Sequence, residues 1–129
     1  MSFVDLSQVE QMLGQSRQVL QPLTAEPGAK GAQARMALAL DPAFVRQLAA
    51  EVNRHTEGDD IANALAASCA NMIVSLVSSA GGIEDDPDAQ HVQAMRVIAR
   101  IGRMIERHFD DGAPAIFDGM VTLAAGGRA

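Results

Sequence analysis

The chain has no tryptophan and no tyrosine, and its only aromatic side chains are four phenylalanines in 129 residues. Any core must therefore be built from Leu, Ile, Val, Met and Ala. The β-branched and aromatic residues that suit strands are too few and scattered for a sheet, which leaves helices. A single cysteine, Cys69, excludes an internal disulfide and any metal site made of several thiolates. Lysine is nearly absent too: one residue, against nine arginines. That bias, with the many alanines, points to a GC-rich bacterial source. Acids outnumber bases by sixteen to ten, so the net charge is −6, which opposes non-specific attraction to nucleic acid or to an anionic membrane.

Other absences bear on function. The start, MSFVDLSQVE, lacks the basic region and apolar run of a secretory signal, so a cytoplasmic location is expected. No glycine-rich phosphate loop, nucleophile elbow or zinc-ligand spacing is present. The expectation is a protein that is not an enzyme and carries no cofactor.

What is present is a helical pattern over one domain, residues 1–129, 48% hydrophobic and long enough to bury a core. The stretch around which the rest is organised is 61–80, IANALAASCANMIVSLVSSA, with no charged residue. At about 100° per residue, Ile61, Leu65, Met72 and Leu76 fall on one side. Ala64, Ser68, Asn71, Ser75 and Ser78 lie on another, nearly all small. A helix apolar or small all round is usually a buried one, so 61–80 is expected at the centre of an all-α bundle. It is also long enough to span a bilayer. Asn63, Asn71, the serines and the acidic flanks argue against that, and no membrane is expected.

Around it, Asp5 or Ser7 can cap a first amphipathic helix ending near Gln21, before Pro22. Residues 24–33, TAEPGAKGAQ, read as an internal linker, and 35–40 as a short helix or a lone strand. Asp41-Pro42 and Asp86-Pro87 each look like a helix start, a carboxylate at the cap and proline in the first turn. They open a second helix to about His55 and a fourth to about Phe109. A short fifth helix is expected from Pro114 to about Ala125, with 126–129 fraying.

Three constellations invite chemistry. Arg96, Arg100, Arg103 and Arg107 are spaced by four, three and four, which sets four guanidinia on one side of the fourth helix over about 16 Å. Such a row can dock an acidic protein partner, because arginine binds carboxylates and phosphates bidentately. It can also be a solvated face, since like charges at this spacing cost only about 0.2–0.5 kcal/mol per pair. A nucleic-acid-associated regulator using the row is the alternative function, though interleaved aromatics are missing. The small-residue face of 61–80 suits close approach of another helix, and with the amphipathic first helix it leads to a homodimer as the expected assembly. Last, Glu51 with His55 and Asp88 with His91 could give a transition metal N/O ligands. That metal-dependent enzyme is the third reading, and no metal site is expected. Cys69 reads as an inert core thiol.

Overall fold

A computed structural model of the chain describes residues 3–111. Among them are four α-helices, one short 3₁₀ segment and no strand, so the all-α class holds. The expected fifth helix and the frayed tail lie outside the described residues. Contacts divide the chain into two units, one up to Glu57 and one from Gly58.

The first unit is a helical hairpin: α1 (Leu6–Leu20), a 3₁₀ turn (Gln21–Ala25) and α2 (Gly28–Asn53). Asp5 is the cap of α1; its carboxylate accepts from the Ser7 hydroxyl at 2.7 Å and the Ser7 N–H at 2.9 Å. These bonds favour the ionised form and hold the carboxyl below its ordinary pKa. Val9 and Leu13 of α1 meet Val45 and Ala49 of α2, Val4 closes one end, and Leu48 and Val52 pack at the edge. Outside, Arg46 donates to both carboxylate oxygens of Glu10, at 2.8 and 3.0 Å. Both side chains are more than half exposed, so the pair aligns the helices more than it stabilises them.

Helix α2 begins earlier than the sequence suggests. It opens at Gly28, which has φ +70°, so only Thr24–Pro27 of the expected 24–33 linker lies outside it, and 35–40 is helical. Gly31 is buried, and a Cβ there would overlap the backbone carbonyl of Glu26. The Arg35 guanidinium donates to the carbonyl of Thr24 at 2.8 Å and reaches that of Glu26 at 3.4 Å. The turn is thus held by a missing side chain and a long one. Asp41-Pro42, expected to start a helix, sits inside this one. Good helix formers precede it, and a proline interrupts only the bond to the carbonyl four residues back. Asp41 then caps nothing, and burial raises its pKa.

Helix α2 ends in a Schellman arrangement. The Thr56 N–H donates to the Glu51 carbonyl and the His55 N–H to that of Val52, with His55 at φ 61°. Just before it, the Asn53 amide grips the chain start. Its Oδ1 accepts from the Val4 N–H at 2.7 Å and its Nδ2 donates to the Val4 carbonyl at 3.1 Å.

The second unit is another hairpin, α3 (Gly58–Ser78) and α4 (Pro87–Asp111). Here Asp86-Pro87 starts a helix as expected: the Asp86 carboxylate accepts from the Ala89 N–H at 3.0 Å. Gly82, at φ +90°, turns the connection. Gln90 then donates to the carbonyls of Ile83 and Glu84 at 2.9 and 2.8 Å, tying the loop to α4. The half-buried residues of α3, among them Cys69 and Ile73, fall on one side with the buried Val77. Half-buried Ala94 and Val97 form the corresponding side of α4. The rest is open. Leu65, Met72 and Leu76, expected at the centre of a bundle, are 40, 49 and 60% exposed. One neighbouring helix covers one side of α3, and among the described residues of this unit only Val77 is buried.

Candidate functional site

Helix α4 carries the row of arginines because its cap, its proline and the Gln90 clamp fix where the helix begins. From that start the spacing does the rest, and Arg96, Arg100, Arg103 and Arg107 all project as exposed side chains. The one ion pair among the described residues is Arg46 with Glu10, in the other unit. Among the described residues no carboxylate is paired with the four guanidinia. Arg96 also lines an open hollow of about 400 Å³ beside Asp86, Asp88 and Gln93 at the start of α4. Both ends of the row are mixed in charge, since Glu106, Asp110 and Asp111 stand beside Arg107.

The small-residue face of α3 is exposed throughout at Ala64, Ser68, Asn71, Ser75 and Ser78. By helical angle it lies on the side away from the half-buried stripe. Its hydroxyls turn inward on their own helix: Ser75 donates to the Asn71 carbonyl at 2.8 Å and Ser78 to that of Val74 at 2.7 Å. With their polar groups already satisfied, these serines present a low, smooth surface. Asn63 and Asn71 are exposed as well, so neither amide demands a buried partner.

Of the acid–histidine pairs, Glu51 and His55 both serve the end of α2. His55 is the left-handed residue that ends α2, and the Glu51 carboxylate accepts from Thr56 Oγ1 at 2.6 Å and Gln47 Nε2 at 2.9 Å. Those bonds lower its pKa, the Thr56 bond most. Among the described residues no three His, Cys, Asp or Glu side chains are grouped to hold a metal ion. Cys69 is half-buried on the stripe toward α4. The ring of His108 stands edge-on to Phe109, with centroids 6.4 Å apart, and its Nε2 is shielded without a hydrogen-bond partner.

Sequence reasoning missed Asn53, Gly31 and His55. For Gly31 a signal existed, two glycines closely following a proline. For Asn53 none did, because its partner lies 49 residues away. By length and composition α3 could cross a membrane, the one helix among the described residues that could. No protein-family model, curated protein or solved structure matches the chain.

Proposed function

We propose that this is a small non-catalytic protein, cytoplasmic, that acts through protein–protein contacts as a homodimer and docks an acidic partner on α4. The observation that carries the docking reading is the exposed row Arg96, Arg100, Arg103 and Arg107, with no carboxylate bonded to it among the described residues. Free guanidinia in line suit a run of carboxylates, each pairing bidentately. The dimer reading draws on the apolar surface that α3 and α4 leave open in the second unit. In the assembled form 61–80 would lie within a helical bundle, and the chain would act as a single helical domain. The face of Ala64, Ser68, Asn71, Ser75 and Ser78 is one place where a second helix can approach closely.

A nucleic-acid-associated regulator would use the same arginines. The net charge of −6 weighs against it, as does the balance within α4, where Asp88, Glu106, Asp110 and Asp111 offset the four arginines. One comparison separates the two. Partner capture from the native host is measured with wild type and with Arg100→Glu/Arg103→Glu, alongside a gel shift on duplex DNA and RNA at two salt concentrations. Docking predicts a folded variant that loses the captured protein, and no shift. A variant that still captures every partner contradicts the docking reading, and a steeply salt-dependent shift supports the alternative.

A further inference from the structure

The half-buried Ala94 and Val97 of α4 continue at coiled-coil spacing to Ile101, 40% exposed. One residue along runs a second stripe, His91, Met95, Ile98, Gly102, Ile105 and Phe109, with alternating steps of four and three. That is the seam spacing of a coiled coil. Every residue of it is exposed; Met95, Ile98, Ile105 and Phe109 are 51, 47, 52 and 80% open. A helix with two such seams needs two neighbours, and α3 is only one.

From this we infer that the second seam pairs with the same seam of a second copy, antiparallel and about a two-fold axis. The inference rests on the homodimer reading above and assigns it to α4 rather than to the small face of α3. Three observations select this occupant. Sizes match in the antiparallel register: His91 faces the other copy's Phe109, Met95 its Ile105, and Ile98 its Gly102, so the missing side chain receives the branched one. A parallel pairing would set Gly102 on Gly102 and leave a gap. Next, with these residues at the seam, all four arginines fall on the outermost positions, one flank is Val92, Ala99 and Glu106 and the other Ala94, Ile101 and His108, so no like charges meet in the antiparallel register. Last, eleven large apolar side chains of the unit are exposed. Of these, Met95, Ile98, Ile105 and Phe109 on the seam and Val92 beside it open on the order of 500 Å² of apolar surface, at the upper end of the largest patch a monomer ordinarily shows and more than half of the roughly 800 Å² each partner gives to a stable interface. An anionic bilayer is the poorer occupant, because the acids and arginines of α4 cancel and neither seam flank has a lysine or arginine.

The test is Gly102→Glu in the full chain, read by sedimentation equilibrium. A Cβ at Gly102 meets nothing within 4 Å, and glutamate is the better helix former, so the chain itself tolerates the change. Against a partner's Ile98 it would bury a charge. The expected result is undiminished helicity with a dimer dissociation constant raised at least about 100-fold, while Ser75→Arg dimerises as wild type. In a Cys69→Ser background, Met95→Cys chains mixed with Ile105→Cys chains should oxidise to 95–105 cross-links in preference to 95–95. A Gly102→Glu protein that still dimerises, or dominant 95–95 cross-links, overturns the seam and leaves the homodimer standing. A monomeric wild type removes both, as does a wild type that floats with phosphatidylglycerol vesicles as a monomer.

Discussion

Removing the Asn53 amide should detach the start of the chain from the first hairpin. In Asn53→Ala two outcomes compete. If residues 3–5 stay in place, the Val4 N–H and carbonyl, bonded to Asn53 at 2.7 and 3.1 Å in wild type, lose their partners at about 1–3 kcal/mol each. If the segment lifts away, those groups reach water, but Val4, fully buried in wild type, gives up about 1.5–3 kcal/mol of burial. The molecule takes the cheaper route, so the loss should be about 1.5–3 kcal/mol and not the sum. Asn53→Asp keeps the acceptor and sets a carboxylate against the Val4 carbonyl. At neutral pH it lacks the Nδ2 donor but keeps the bond from the Val4 N–H, so it should lose less than Asn53→Ala if the N–H bond outweighs the contact with the carbonyl. Amide hydrogen exchange at Val4 and Val9 with thermal melting followed by circular dichroism reads both effects. A loss below about 0.5 kcal/mol, the range of ordinary surface changes, with Val4 exchange unchanged, would refute the clamp.

Other outcomes follow from single positions. Gly31→Ala should destabilise the first hairpin by about 3 kcal/mol or more, because the new Cβ meets backbone at Glu26; by helix propensity alone the change would gain about 1 kcal/mol, so the sign of a melting shift decides. His55→Gly should stabilise by about 0.5–1 kcal/mol by relieving a left-handed residue, seen as a raised urea midpoint. The carboxyls of Asp5, Glu10 and Glu51 are lowered, chiefly by bonds from Ser7, Arg46 and Thr56. Their stabilisation is therefore full above the ordinary carboxylate pKa near about 4 and is lost as pH falls through the lower folded values. Asp41 runs the other way: burial raises it, so Asp41→Asn should melt higher at neutral pH, with the advantage gone below about pH 4.

The sequence made helices legible, and their ends where local chemistry sets them. Asp5 caps α1 and Asp86-Pro87 opens α4 because caps depend on neighbours two or three residues away. The same reasoning failed at Asp41-Pro42, where an Ala- and Leu-rich approach carried the helix through the proline. The arginine row was readable in full, since periodicity fixes the face of a helix once its start is known. Burial was not. A helix apolar all round looks central in sequence, yet Leu65, Met72 and Leu76 are 40, 49 and 60% exposed, because within its own unit α3 packs against α4 alone. The Asn53 clamp was invisible for the opposite reason, since it joins residues 49 apart that no local pattern relates.

The central claim is that this chain is completed by a second copy of itself while the arginines stay free for a further partner. Light scattering on the full-length wild-type protein across micromolar concentrations tests it most directly. The account predicts twice the 13.6 kDa chain mass, retained in Arg100→Glu/Arg103→Glu. A constant mass of one chain at every concentration would contradict it.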